Sequence, residues 1–212
     1  DGTHVWRDCH RHLGDLLMPS IGMGRSPIIL EALAPPFSAN AVNFDGTNDF
    51  LNRGAGLDGA VDGINLLLSL WFNIAGADGA RLNFHESTNA TISSLRNVNN
   101  KIQFFVRDPV AVMLWNVETV TAYDLINNPG WHHLLISVKM DVTPIVQFYI
   151  DDVAASLTEF TAPTAGTIDW TVAEHVFGDR IALTAKMNGD LAEVYLTDEF
   201  LDLDIEANRR KF

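Results

Sequence analysis

The sequence has only one cysteine, Cys9, among its 212 residues, which excludes an intrachain disulfide. Basic residues are also scarce: 14 Lys and Arg stand against 27 Asp and Glu, so the formal net charge is −13. An acidic surface repels phosphates, which argues against nucleic acid or an anionic membrane surface as a partner. No apolar run is long enough to span a bilayer. These absences leave cations, neutral glycans and basic protein patches as candidate partners.

The apolar content, in contrast, is high. Apolar residues make up 47% of the chain, and its 12 Phe and 5 Trp suit the wide faces of β-sheets. A chain of this length accommodates one large β domain or two small ones. We therefore expect a substantial hydrophobic core.

Residues 1–37 differ in composition from the rest of the chain. Pro and Gly recur there, and no helical or strand period lasts for more than a few residues. The same stretch carries apolar side chains, including Leu16, Ile28 and Leu30, whose exposure would make the protein adhesive. We predict an extended docking arm over residues 1–37 and a separate domain over residues 38–212.

A β-hairpin is predicted near the middle of the chain. The polar turn at residues 127–130 precedes a strand of apolar and β-branched residues that ends at Val138. Residues 139–143 form a second polar turn, and a return strand follows over residues 144–151.

Further strands are predicted wherever apolar runs lie between turn residues. They lie at residues 41–51 (two strands around an Asp-Gly turn), 66–74, 82–84, 90–96, 102–107, 110–117, 174–177 and 187–196. Residues 157–171 are predicted to be a connection. Residues 202–211 have helical spacing, with acidic residues first and basic residues last, which suits a short terminal helix.

Four of these stretches together resemble the laminin-G-like, concanavalin A-like sandwich domains. The Trp131-His132 pair resembles the start of that superfamily's central hairpin, and Phe44-Asp45-Gly46 resembles its first turn. The strand at 66–74 and the strand at 187–196 follow in the family's order. One position departs from the pattern: Ala192 stands where an aspartate is common, so no role of that aspartate is carried over.

The resemblance implies an all-β, two-sheet antiparallel jelly-roll sandwich with Trp131 buried between the sheets. The missing disulfide suggests a bacterial or bacteriophage member. We expect a non-catalytic structural or adhesion protein of a virion or cell surface, part of an oligomeric assembly, which docks through residues 1–37 and contacts host glycans. Because the chain begins at Asp1, we also expect it to be processed or trimmed.

One alternative is a calcium-dependent carbohydrate-binding module. Its exposed aromatic platform would be Trp115 and Trp170, the candidate ligand-binding residues. Calcium prefers six to eight oxygen ligands, which carboxylate-rich turns can supply. Such turns carry Asp58, Asp62, Asp78, Asp108, Asp151, Asp152 and Asp179. The competing interpretation is that these aspartates only stabilise turns.

Two histidine groups are candidates, the first for zinc and the second for a metal or catalytic pair, although a structural role is favoured for the second. His4, Cys9, His10 and His12 contain suitable ligand types, although their spacing matches no closed structural site and a polar arm terminus is favoured. The adjacent pair at 132–133 alternates across a strand, so one imidazole is expected to face the core and the other the rim.

A second alternative is a glycan hydrolase or lyase. Asp202, Asp204 and Glu206 have the spacing that would place paired carboxylates on one face of a strand. The basic residues at 209–211 favour a helix, where positions i and i+2 diverge. The sequence also lacks a phosphate-binding Gly-x-x-x-x-Gly-Lys loop and a Gly-x-Ser-x-Gly nucleophile turn. We therefore expect no catalytic residues.

Overall fold

The structure is a computed structural model that describes residues 40–54, 59, 61–75, 82–87, 93–171, 174–179 and 185–212. Within these ranges it contains strands and one short helix. The strands are β1 Ala41–Asp45, β2 Leu51–Asn52, β3 Asn65–Ile74, β4 Leu82–Ser87, β5 Ser93–Val98, β6 Lys101–Arg107, β7 Met113–Ala122, β8 Trp131–Lys139, β9 Ile145–Ile150, β10 Val153–Ala154, β11 Leu157–Thr161, β12 His175–Phe177 and β13 Asn188–Thr197; the helix is α1 Glu206–Arg209.

Two antiparallel sheets make up most of the described part of the chain. One has the strand order β1-β13-β3-β8-β9-β10, and we call it the six-stranded sheet. The other has the order β11-β7-β6-β5-β4-β12-β2, and we call it the seven-stranded sheet. This arrangement confirms the predicted two-sheet β-sandwich and its short terminal helix. The predicted arm at residues 1–37 lies outside the described residues.

The core lies between the two inner faces. Alternate residues of β3 and β8, such as Phe72 and Ile136, are fully buried and meet alternate residues of β6, such as Phe104. The alternation follows from the pleat, which sends successive side chains to opposite faces. Burying each large apolar side chain is worth about 1.5–3 kcal/mol, so these strands dominate the stability of the domain.

The outer face of the six-stranded sheet is covered in part by the C-terminal segment, residues 201–212. Leu203 is buried there against Leu67, Leu135 and Tyr149. Its backbone N–H donates to Gln147 Oε1 at 2.7 Å, and Gln147 Nε2 donates to Asp202 Oδ1 at 2.9 Å. The six-stranded sheet therefore has apolar side chains on both faces, so a tryptophan on one of its strands can face outward.

Trp131 is not buried between the sheets, so that prediction is wrong. It is 40% exposed, because it begins β8 at a position that points to the outer face. The inward position belongs to His132, whose ring lies 5.5 Å from that of Phe72 and 5.0 Å from that of Tyr123. The prediction that one imidazole of the pair faces the core is therefore confirmed.

Several further boundaries differ from the predictions. The strands β4, β5 and β7 end at Ser87, Val98 and Ala122, beyond their predicted ends. The connection expected at residues 157–171 begins with β11, which extends the seven-stranded sheet by pairing with β7. The helix is shorter than expected, because Asp202 lies in a turn and accepts the backbone N–H of Asp204 at 3.0 Å. An aspartate that binds a backbone N–H two residues ahead stabilises a turn rather than a helix interior.

Gly178 follows β12 at a point where the chain passes close to the core. Its φ is +85°, and a Cβ atom there would lie 2.1 Å from the ring of Phe44. Only glycine fits both the left-handed backbone and this close approach.

Candidate functional site

A groove of about 390 Å³ lies on the outer face of the six-stranded sheet, beside the C-terminal segment. The residues that line it include Trp71, His133, Tyr149, Asp151, Arg209 and Phe212. The strands β3, β8 and β9 supply its floor, and residues 209–212 supply one wall.

The floor of the groove is an aromatic pair. Trp71 on β3 and His133 on β8 are directly opposite in register, and their rings stack with centroids 4.9 Å apart at 22°. Ser69 Oγ lies 2.9 Å from His133 Nε2. Burial lowers the pKa of His133, and the nearby Asp151 opposes that shift without reversing it. The imidazole of His133 is therefore neutral at pH 7.

The Ser69–His133 contact has the form of a nucleophile and its base, but not the geometry of a catalytic triad. Ser69 is only 2% exposed, so no substrate reaches its hydroxyl. Asp151 Oδ1 accepts the backbone N–H of His133 at 2.9 Å and does not bind the imidazole nitrogen, as a triad requires. This pair positions the floor of the groove and carries no nucleophilic chemistry.

Asp151 connects the groove to the core. Its Oδ2 accepts a hydrogen bond from His132 Nδ1 at 2.7 Å, and His132 Nε2 donates to the carbonyl oxygen of Asn128 at 3.0 Å. Both partners are acceptors, so both ring nitrogens of His132 donate, which is the hydrogen-bonding pattern of an imidazolium. The bond to Asp151 accordingly raises the pKa of His132, against the opposing effect of burial. Burial raises the pKa of Asp151, but the bonds from His132 and His133 outweigh it and lower the pKa overall.

The C-terminal wall is fixed to the sheet by Arg209. Its guanidinium lies over the ring of Tyr149, 4.7 Å from the centroid, and its Nε donates to Asp152. The hydroxyl of Tyr149 donates to Asp204 Oδ1 at 2.8 Å, and this bond raises the pKa of Tyr149. The groove thus combines aromatic surface with carboxylate acceptors and guanidinium donors.

The predicted binding residues lie elsewhere. Trp115 is fully buried, packs against Phe104, and donates its indole N–H to Glu159 at 3.1 Å. Trp170 is 2% exposed and donates its indole N–H to the carbonyl oxygen of Asn65 at 3.2 Å. The prediction that these two tryptophans form an exposed platform is therefore wrong, because both fill the core.

Most of the aspartates proposed for calcium bind nearby backbone or side-chain groups. Asp62 accepts the backbone N–H of Trp170, Asp108 accepts those of Val110 and Val112, and Asp179 binds Lys186 at 2.8 Å. Asp151 and Asp152 belong to the groove, and Asp58 and Asp78 lie outside the described residues. Among the described residues, no three His, Cys, Asp or Glu side chains form a group that could hold a metal ion.

Of the other predicted sites, one lies outside the described residues and one lacks the predicted geometry. His4, Cys9, His10 and His12 lie outside the described residues. Asp202, Asp204 and Glu206 lie in a turn and a helix, so they do not share the strand face that paired glycosidase carboxylates need.

The sequence prediction missed the groove. Trp71 occupies an outward position of β3, and Arg209 and Phe212 reach it from more than 130 residues along the chain. The sequence signal for a covered outer side was limited to two apolar residues, Leu67 and Trp71, among the five outward positions of β3.

Comparison with known proteins concerns the fold. No family model and no curated protein sequence matches the chain. The binding domain of botulinum neurotoxin serotype G has a TM-score of 0.58 at 12% identity, over 80% of this chain and 41% of that one. The receptor-binding domain of botulinum neurotoxin D has a TM-score of 0.56 at 13% identity, over 81% and 43%. The heptameric SAP-like pentraxin of Limulus polyphemus has a TM-score of 0.51 at 12% identity, over 77% of each chain.

The chain has a jelly-roll fold. The likeness to the toxin domains and the pentraxin, together with the two antiparallel sheets, confirms the jelly-roll sandwich implied by the resemblance. This chain spans about two-fifths of the length of the toxin binding domains. No helix in the described part of the chain is long and apolar enough to cross a membrane.

Proposed function

We propose that this domain is a non-catalytic glycan-binding module whose ligand lies in the groove on the outer face of the six-stranded sheet. The observation that carries the proposal is the half-buried ring of Trp71, stacked on His133 at the floor of a groove rimmed by Asp151, Asp152 and Arg209. A sugar ring has an apolar C–H face and a rim of hydroxyl groups. Aromatic rings complement the face, and a few convergent polar groups complement the rim.

The polar groups of the groove suit hydroxyl groups well. The carboxylates of Asp151 and Asp152 accept hydrogen bonds from hydroxyls, and Arg209 and Arg210 donate to them. Hydrogen bonds to charged partners are stronger than those between neutral groups. The formal net charge of −13 disfavours acidic glycans, so the ligand of this site is a neutral glycan.

The compared structures support a binding role by analogy. Two of them are described as binding domains, one specifically as a receptor-binding domain, and the pentraxin is heptameric. Fold likeness alone does not carry function, so the proposal depends on the groove. A virion or cell-surface location, an oligomeric assembly and docking through residues 1–37 remain predictions.

The test is a printed array of neutral and acidic glycans, probed with the full chain. We expect binding to neutral glycans, and at least a tenfold loss of affinity for Trp71→Ala, equal to about 1.4 kcal/mol. The matched control is Phe160→Ala, which removes an aromatic ring that is 54% exposed on β11 of the other sheet. This variant should bind as the unchanged protein does.

Failure of the unchanged protein to bind any printed glycan would contradict the proposal. Unchanged binding by Trp71→Ala would also contradict it, since the groove would then not be the site. Repeating the array in the presence of a chelator tests the calcium prediction separately.

A further inference from the structure

A strip of polar side chains lies beside the groove on the same outer face. Asn43 on β1, Asp190 on β13 and Asn73 on β3 are in register with one another. Asn43 Nδ2 donates to Asp190 Oδ1 at 2.8 Å, and Asn73 Nδ2 donates to Asp190 Oδ2 at 3.0 Å. We call these three residues the amide strip.

Trp131 extends the amide strip toward the groove. It pairs with Asn73 in register, and residues directly opposite in an antiparallel pair share a face. The row formed by Trp131 and the amide strip crosses four strands, so it spans roughly 14 Å at the usual strand spacing. Trp131 is also the diagonal neighbour of Trp71, within reach of an aromatic side chain. The row and the groove therefore lie next to each other on the same face of the sheet.

The chemistry of the amide strip suits hydroxyl groups. Asp190 uses one oxygen for each neighbouring carboxamide and so fixes the position of both. Each carboxamide has a second N–H donor and a carbonyl acceptor beyond this bond. Each carboxamide can thus both donate to and accept from the hydroxyl groups of a sugar chain, and the exposed ring of Trp131 adds an apolar surface at one end.

We infer that the ligand is a linear neutral oligosaccharide with an extended, β-1,4-type backbone, which runs from the groove past Trp131 along the amide strip. This inference rests on the proposed function of the groove. The spacing between neighbouring strands, about 4.8 Å, is close to the repeat of one sugar unit in an extended chain, so successive units meet successive strands. A coiled chain such as an α-1,4 glucan leaves this straight row after a short distance.

The experiment compares two isomeric probe series on the full chain by titration calorimetry. Cello-oligosaccharides and malto-oligosaccharides, from disaccharide to hexasaccharide, differ only in linkage. We expect affinity in the cello series to rise about tenfold or more with chain length, and affinity in the malto series to stay flat.

Two variants locate the effect. Asn73→Ala and Trp131→Ala should reduce the affinity for cellohexaose to that for cellobiose. Trp131 is 40% exposed, so its variant should fold even where Asn73→Ala disturbs β3. Thermal melting verifies that each variant is folded.

The outcomes separate this inference from the proposed function. Binding that is independent of chain length, yet abolished by Trp71→Ala, overturns the inference and supports the groove. An equal rise in both series overturns it as well. Absence of binding to both series overturns it too, and the glycan array alone then decides the proposed function.

Discussion

The guanidinium of Arg209 lies over the ring of Tyr149, 4.7 Å from its centroid, and this contact joins the C-terminal segment to the sheet. Arg209 also binds Asp152 through Nε and the carbonyl oxygen of Leu203 through Nη1. A lysine keeps the charge but has neither the planar stacking surface nor several donors in a fixed geometry. We predict that Arg209→Lys speeds amide hydrogen exchange in residues 201–212.

Arg210→Lys is the matched control for this prediction. Arg210 binds only Glu206 among the contacts described, and its side chain is 73% exposed. Exchange in the same segment should stay at its original rate. Equal effects of the two variants would show that Arg209 does not fix the wall of the groove.

A pair of tryptophan variants tests the register of the sandwich. Trp115 is fully buried and Trp131 is 40% exposed. We expect Trp115→Ala to lower the free energy of unfolding by about 3–5 kcal/mol, as large-to-small core changes do. Trp131→Ala should cost less than about 1 kcal/mol. Chemical denaturation measures both, and similar costs for the two variants would refute the assignment of faces.

Alanine substitutions at Gly178 and Gly54 separate the cost of backbone strain from the cost of steric overlap. Both glycines have positive φ, +85° and +77°, but a Cβ atom at Gly54 meets none of the described residues within 4 Å, whereas one at Gly178 would overlap Phe44. Gly54→Ala should cost about 1–2 kcal/mol from the left-handed backbone alone. Gly178→Ala should cost clearly more. Equal costs in thermal or chemical unfolding would mean that the backbone at Gly178 shifts away from Phe44 at no cost in free energy.

Acid stability should depend on His85. Burial, followed by the repulsion of His175, lowers the pKa of His85 to about 3. In the unfolded chain His85 binds a proton near pH 6.5, whereas in the folded chain it stays neutral down to about pH 3. The contribution of neutral His85 to the free energy of unfolding is therefore fully present above pH 6.5 and is lost as the pH falls toward 3. We predict that His85→Gln moves the midpoint of acid unfolding to lower pH. A midpoint that stays in place or rises would exclude His85 as the acid-sensitive group.

The pH dependence of stability that His132 contributes has the opposite sign. The pKa of His132 is raised chiefly by the hydrogen bond from Nδ1 to Asp151. Its contribution to the free energy of unfolding is therefore complete below the pKa that it has in the unfolded chain, and it is lost as the pH rises through the pKa that it has in the folded chain. Asp151→Asn should lower the pKa of His132 in an NMR titration. Asp152→Asn should leave it in place, since Asp152 binds Arg209. An unchanged His132 titration in Asp151→Asn would remove Asp151 as the cause.

The strands could be predicted from the sequence, but the faces of the six-stranded sheet could not. Turn residues bracket β3, β8 and β9 closely, so their positions were found within one or two residues. Alternation then indicates which residues share a face without saying which face is inside. Because the C-terminal segment covers part of the outer face, apolar residues such as Leu67 and Leu135 lie there as well as in the core, and Trp131 was assigned to the wrong face.

The groove depends on long-range contacts that local patterns do not carry. Phe212 and Trp71 both line it, although they lie 141 residues apart in the sequence. Trp115 and Trp170 appeared equally suitable as binding residues, because the residues next to a tryptophan in the sequence do not show whether its ring is buried or exposed. Their indole N–H groups find acceptors at Glu159 and Asn65, which only the fold brings near.

The edge strands β2 and β10 are only two residues long. A strand that short offers too few backbone donors and acceptors to template another chain, so neither sheet is easily extended at these ends into an intermolecular sheet. Concentrated solutions of the domain should therefore resist fibrillation that starts from β2 or β10. Copies of the chain that assemble would do so through side-chain surfaces at these two edges rather than by continuing the sheets.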